Sequence, residues 1–145
     1  MSADGRFWAH AGTIIHIGIP STQVYEINSG RAVSPLLQTN GALNGVDFSP
    51  DGKRLLVTVR RPSVAPPTGG KVLPSGEGEV VFFDWRAGSR VFAPLPTPSP
   101  PADAAYSPDG QLAVVVCSGG EILLVNPATG RLIRTLDHGS QANDW

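Results

Sequence analysis

Three histidines and one cysteine are the residues best suited to chemistry in this chain of 145 residues, and their spacing does not predict that they form one site. His10 and His16 are six residues apart on or near expected strands, and His138 lies far along the chain. A metal site needs three or four converging ligands, so we expect no bound metal. Cys117 ends the apolar run 114–116 with no histidine or basic residue beside it to lower its pKa, which predicts a buried and unreactive thiol.

Two further sequences are similar to catalytic motifs but lack a required partner. Ser-Pro-Asp-Gly occurs at 49–52 and 107–110, where Ser and Asp suit a turn and no histidine is placed to complete a hydrolase triad. The Gly-Gly-Lys sequence at 69–71 lacks the spacing of a phosphate-binding loop, because a valine follows where Ser or Thr is required. We therefore predict no catalytic residues and no cofactor.

A repeated turn, and not a reactive cluster, organises the chain. Residues 46–57 are typical of a strand, a tight turn and a second strand, with Pro50 and Gly52 supplying the backbone angles that the turn requires. The same pattern returns at 105–114, and a weaker copy opens the chain at 2–7. A hairpin that occurs three times indicates a repeat architecture.

A second set of turn glycines fixes how the repeats align. Gly30, Gly88 and Gly130 follow the third strand of successive repeats, and each of the first two precedes the next repeat's first turn glycine by 22 residues. The distance from the first turn glycine to the second is instead 25, 36 and 20 residues in the three repeats. We therefore expect all length variation between the second and third strands, where repeat proteins place insertions on one face.

This pattern resembles the blades of a β-propeller of the bacterial WD-repeat type, with the propeller repeats of the YVTN type as second choice. Tyr25-Glu26, Phe83-Asp84 and Val125-Asn126 stand where that family often has Trp-Asp. The resemblance implies an all-β fold, a partial β-propeller of about two full four-stranded antiparallel blades plus three strands of another. It also implies that residues 60–78 and 94–103 flank one face, with the turns at 49–52 and 85–88 on the opposite face.

The expected organisation is a single incomplete propeller segment over residues 1–145. We place a partial blade at 1–41, full blades at 42–100 and 101–139, and the start of a further blade at 140–145. Residues 60–78 are expected to form a long Pro/Gly-rich loop. Propellers typically close with four to eight blades, so we expect further blades from the same parent chain or from self-association.

In the first of these blades, four stretches are β-prone. They lie at 6–11, 13–19, 23–27 and, more weakly, 31–37. Ile15, Ile17 and Ile19 alternate in the second stretch and are expected on one face of a strand.

Composition limits the classes of partner. A net charge of −1 gives no electrostatic footprint for nucleic acid. The sequence contains no apolar run of membrane-spanning length and no signal peptide at its start, so we expect no membrane contact. The single cysteine is compatible with a reducing compartment, and we expect a cytoplasmic location.

These observations favour a non-enzymatic protein-interaction scaffold, a segment of a longer WD-repeat-like propeller protein. The candidate partner-binding residues are Arg60, Arg61 and Lys71 of the basic loop, together with Trp85 in a turn. An exposed Trp85 would anchor a partner, and packing against Arg86 or a neighbouring blade is the alternative. The competing function is a propeller-type enzyme or ligand binder, such as a lactonase-like hydrolase or a redox-cofactor protein, whose active site lies in further blades.

Overall fold

The structure, a computed structural model, describes residues 1–14, 18–61 and 78–137, which fold into β-strands and turns. The described strands are β1 (Phe7–Ile14), β2 (Ile19–Glu26), β3 (Leu37–Gln38), β4 (Ala42–Phe48), β5 (Arg54–Arg60), β6 (Gly78–Asp84), β7 (Ser89–Arg90), β8 (Leu95–Thr97), β9 (Pro101–Tyr106), β10 (Ala113–Cys117), β11 (Glu121–Asn126) and β12 (Arg131–Asp137). Within these ranges there is no helix that could cross a membrane.

The strands form three antiparallel sheets, which we call blades 1, 2 and 3. Blade 1 has the order β1-β2-β3, and blade 3 has the order β9-β10-β11-β12. Blade 2 has the order β4-β5-β6-β7, and β8 also pairs with β6. The predicted all-β, partial propeller architecture is confirmed.

Blade 1 differs from the sequence prediction in its first hairpin. β1 and β2 pair from Phe7↔Glu26 to Ile14↔Ile19, so Ile14 and Ile19 belong to two different strands and the stretch 13–19 is not one strand. Ile15 and Ile17, which we expected on a strand face, lie outside the described residues, as does His16. Gly18, with a φ of 64°, adopts the left-handed conformation that suits a tight reversal.

The weak fourth stretch of blade 1 is also not a continuous strand. It contributes an isolated bridge between Tyr25 and Ala32, and pairing resumes only at β3. Pro35 interrupts it, because proline has no backbone N–H to donate. The Ser34 hydroxyl oxygen instead accepts the N–H of Val24 at 2.9 Å.

The three first turns share one set of hydrogen bonds. In blade 2 the Ser49 hydroxyl donates to the Asp51 carboxylate at 2.6 Å, and the same oxygen of Asp51 accepts the N–H of Lys53 at 3.0 Å. The Ser2–Asp4 and Ser107–Asp109 pairs repeat both bonds. The serine bond is the main cause that lowers the pKa of each Asp below its usual value. These side chains therefore act as turn formers, as the sequence predicted.

Two hydrophobic cores lie between the blades and cover both faces of blade 2. The first joins Phe7, Val24 and Leu37 of blade 1 to blade 2, and its blade 2 members are Phe48, Leu55, Val57, Val59, Val81, Phe83 and Trp85. The second joins Leu56, Val80 and Phe82 of blade 2 to blade 3, whose members are Ala104, Ala113, Val115, Cys117, Leu123 and Val125. The side chains of a strand alternate between its two faces, and both faces of blade 2 are buried. For this reason β5 and β6 are nearly continuous apolar runs.

The prediction that length varies only between these strands is correct for blade 2. The strands before and after the variable connection are β1 and β2, β5 and β6, and β10 and β11, and the connections span residues 15–18, 61–77 and 118–120. Blade 1 exceeds blade 3 mainly through longer strands, since β1 and β2 have 8 residues each where β10 and β11 have 5 and 6. Residues 62–77 lie outside the described part of the chain, and Lys71 lies among them.

Candidate functional site

Three of the predicted partner-binding residues lie in the described part of the chain, with Arg60 and Arg61 at one end of blade 2 and Trp85 at the other. Arg60 pairs with Gly78 at one end of the β5–β6 ladder, and Arg54 pairs with Asp84 at the other end, next to Trp85. At about 3.3 Å per residue, the two ends of this ladder are roughly 20 Å apart. We call them the loop end and the turn end. Trp85 therefore does not share a surface with Arg60 and Arg61.

At the turn end, Trp85 is buried and is not an exposed anchor on this chain. Its side chain is 1% exposed, and its Nε1–H donates to the Gly52 carbonyl oxygen at 2.8 Å. The Phe7 ring of blade 1 lies 5.1 Å from the Trp85 ring, and the Arg86 guanidinium lies 4.1 Å from it. Trp85 therefore packs against Arg86 and the neighbouring blade 1, which was the alternative to an exposed anchor. The bond to Gly52 also confirms that the turns at 49–52 and 85–88 share a face.

At the loop end, Arg60 and Arg61 have different roles. Arg60 is exposed at the last position of β5. Arg61 donates from its guanidinium to Glu79 Oε2 at 2.9 Å, and its side chain is 44% exposed where that of Glu79 is 1% exposed. A buried carboxylate is costly without a counter-charge. Arg61 therefore stabilises Glu79, and Arg60 is the side chain displayed to solvent.

The connector between blades 2 and 3 lies beside this loop end. Thr97 pairs with Gly78, and the Asn44 side-chain amide donates to the Pro101 carbonyl at 2.8 Å. A Cβ on Gly78 would collide with the Pro101 ring and the Val59 carbonyl, so only glycine fits between the two blades. The expected placement of residues 94–103 next to the base of the loop is confirmed at these contacts.

The carboxylates of the first strands are occupied by backbone groups. Asp47 on β4 accepts the N–H of Tyr106 on β9 at 2.9 Å, and Asp103 accepts the N–H of Ala104 at 2.8 Å. Across the described residues no three His, Cys, Asp or Glu side chains are grouped so as to hold a metal ion. His138 lies outside them. Cys117 is buried, as predicted, and burial raises the pKa of its thiol.

A cleft at the turn end was not predicted from the sequence. It has a volume of about 380 Å³ between blades 2 and 3 and is lined by Ser49, Asp51, Lys53, Arg54, Tyr106, Gly110, Pro127 and Ala128. The Arg54 guanidinium donates to the Pro127 carbonyl at 3.0 Å and so closes one side of the cleft. Burial raises the pKa of the Tyr106 hydroxyl, which keeps it protonated. Within the lining, the Ser49 hydroxyl and the Asp51 carboxylate bond to each other and hold the first turn of blade 2.

The exposure of the two outer sheet faces was also not predicted from the sequence. The N-terminal flank is the face of blade 1 turned away from blade 2, and it carries Trp8, His10, Gln23, Tyr25 and Ile27. The C-terminal flank is the face of blade 3 turned away from blade 2, and it carries Val114, Val116, Ile122 and Leu124. Trp8 and Ile27 are each 46% exposed, and Val116 is 43% exposed. Alternating burial along β10 could not be read from its uninterrupted valines, since those favour burial on both faces.

The order and packing of these blades define the class of fold: a partial β-propeller, with a three-stranded blade 1 followed by blades 2 and 3. A similar solved structure is the crystal structure of the Cps50 (Swd1) β-propeller domain of Myceliophteria thermophila, with a TM-score of 0.68 and 13% sequence identity. The match covers 94% of this chain and 37% of that chain. This chain therefore spans well under half the length of that propeller domain. No protein-family model matches the sequence, and no curated protein is similar to it.

Proposed function

We propose that this chain is a non-enzymatic interaction scaffold, a segment of a WD-repeat-like propeller that binds a protein partner at the loop end of blade 2. One observation carries the proposal: exposed Arg60 lies at the base of the connection 61–77, the longest between the second and third strands of any blade. Repeat proteins often bind their partners through insertions on one face.

The polar residues that recur in every blade support a scaffold, because they are occupied in shaping the backbone. The Ser–Asp pairs hold the first turns. In the second turns, Asp84 and Asn126 accept the N–H groups of Ala87 and Ala128. These side chains thus form hydrogen bonds within their own turns. Within the described residues, nothing favours the enzyme or cofactor-binding alternative.

The partner surface that we propose is basic, and so its partner is acidic. Arg60 is its central residue, Arg61 contributes its exposed portion while holding Glu79, and Lys71 adds charge from the loop. Trp85 has no part in it. Exposed charges of this kind act mainly on association rate and are screened by salt. In this proposal the protein works in the cytoplasm, where its partner binds it reversibly.

The test is charge reversal of Arg60 with a matched control. Arg60→Glu should reduce partner recovery in a quantitative pull-down by roughly fivefold to thirtyfold, the equivalent of about 1–2 kcal/mol. Arg90→Glu reverses another exposed arginine, which lies on β7, and should leave recovery unchanged. Replacing residues 62–77 with a three-residue turn, as blade 3 has, should abolish recovery. If all three variants recovered the partner as well as the wild-type chain does, partner binding at the loop end would be contradicted.

A further inference from the structure

The C-terminal flank repeats a face that is buried elsewhere in the same chain. Arg54 and Leu112 each donate their backbone N–H to the serine hydroxyl of the preceding turn, and this equivalence aligns β5 with β10. Asp84 and Asn126 align β6 with β11 in the same way. The equivalent pairs are Leu56 with Val114, Thr58 with Val116, Val80 with Ile122, and Phe82 with Leu124. The blade 2 members are 0–2% exposed because blade 3 covers them.

The N-terminal flank corresponds to the opposite half of such an interface. The same alignment matches Leu55 with Trp8, Val57 with His10, Val81 with Gln23, Phe83 with Tyr25, and Trp85 with Ile27. All five blade 2 members belong to the core against blade 1. The two flanks of this chain are thus the two halves of a contact that the chain already makes twice between its own blades.

The N-terminal flank can be buried by another blade, although two of its residues, His10 and Gln23, are polar. The Gln23 amide is satisfied within blade 1, since it donates to the Ser34 carbonyl at 3.0 Å and accepts from the Tyr25 hydroxyl at 3.1 Å. The His10 ring lies edge-on to the Trp8 ring at 5.6 Å. A hollow of about 330 Å³ has mostly apolar walls that suit an incoming aliphatic side chain, and it is lined by Trp8, Tyr25, Glu26, Ile27 and Gly30.

We propose that a second copy of this chain stacks head-to-tail on the first, with its N-terminal flank on the C-terminal flank of the first copy. The contact is heterologous because its two halves differ, and head-to-tail contacts close into a ring when the rotation permits. The second copy would continue the stack of blades on a flank that is exposed in the described residues. This inference rests on the stacking of blades and is independent of partner binding at Arg60.

The experiment measures molecular mass in solution by light scattering during gel filtration. The wild-type chain should elute with twice the chain mass of 15.2 kDa. Val116→Glu on one flank and Trp8→Glu on the other should each give a monomer. Val33→Glu is the matched control, because Val33 is 40% exposed on the outer edge of blade 1, where its N–H bonds to the Val24 carbonyl away from either flank.

Mixing the two disrupted variants separates the head-to-tail contact from the alternatives. Each variant retains the flank that the other has lost, so the mixture should form a heterodimer through one intact contact. If identical flanks paired instead, one of the two single variants would remain dimeric and the mixture would give no heterodimer. That result, or a wild-type chain that is monomeric up to about 100 µM, a concentration that populates interfaces of ordinary size, would overturn the proposal.

Two milder variants keep the test independent of any folding defect in the glutamate variants. Val116→Thr installs the residue that blade 2 has at the equivalent position, Thr58, and should preserve the dimer. His10→Val installs the equivalent of Val57 and should lower the dissociation constant severalfold, because a polar ring no longer has to be buried. An unchanged dissociation constant for His10→Val would contradict the proposed contact.

Discussion

Replacement of Trp85 by alanine should be among the most destabilising single changes in the chain. A buried aromatic side chain of this size removes about 150–250 Å² from water, worth roughly 4–6 kcal/mol at about 25 cal/mol per Å². Trp85 is 1% exposed and also donates a hydrogen bond to Gly52. Measured Trp→Ala changes in cores cost about 3–5 kcal/mol. We therefore expect a loss of about 3–5 kcal/mol in the free energy of unfolding.

Urea denaturation followed by far-ultraviolet circular dichroism measures this loss, since that signal does not depend on the deleted indole. Trp85→Phe is the graded control: it retains most of the apolar contact with Phe7 and Phe48 and loses the bond to Gly52. It should cost about 1–2 kcal/mol, since the carbonyl of a partly buried turn is left without its donor. A change below about 1 kcal/mol for Trp85→Ala would refute the packing described for this residue.

Two further predictions concern the turns and the buried ion pair. The pKa of Asp51 is lowered mainly by its bond to Ser49, so its stabilisation is present above the unfolded-state pKa and is lost as pH falls through the lower folded pKa. The urea midpoint of the wild type should therefore fall below about pH 4 more steeply than that of Asp51→Asn, and parallel curves would contradict this. Arg61→Ala leaves Glu79 without its described counter-charge and should destabilise the fold by about 1–3 kcal/mol, discounted because Arg61 is partly exposed. The double variant with Glu79→Gln should recover part of that loss in the same assay, and no recovery would mean that the pair is not coupled.

The turns could be predicted from the sequence because their chemistry is local. Gly52 has a φ of 73°, and Gly5 and Gly110 have φ values of 72° and 71°. Even the first copy, which has Ala3 in place of proline, makes the same bonds. The serine and aspartate side chains fix these bends by themselves, so the weaker sequence match still gives the same structure.

The burial of Trp85 could not be predicted because it depends on residues far along the chain. Phe7 and Phe48, which surround it, precede it by 78 and 37 residues. The equivalent residue Ile27 is 46% exposed, because nothing in the described residues packs on that face of blade 1. The same position is therefore core in one blade and surface in another, and only the stacking order of the blades decides which.

The candidate partner surface was predicted in part. The basic sequence at the start of the long connection indicated Arg60 and Arg61, and both lie at the loop end. The sequence did not indicate that Arg61 is held by Glu79, since β5 and β6 are separated by residues 61–77. The pairing of β1 with β2 was missed because isoleucines favour a strand and outweigh the single turn signal of Gly18.

Hydrogen exchange at two protein concentrations tests the stacking of blades most directly. Blade 2 is covered on both faces, so the amides of β5 and β6 should exchange slowest at every concentration. If the flanks cover each other between copies, exchange in β1, β10 and β11 should slow as concentration rises, while the turn at 107–110 stays unchanged. Exchange of β5 as rapid as that of the exposed strand β12, together with no effect of concentration on β10, would contradict the account.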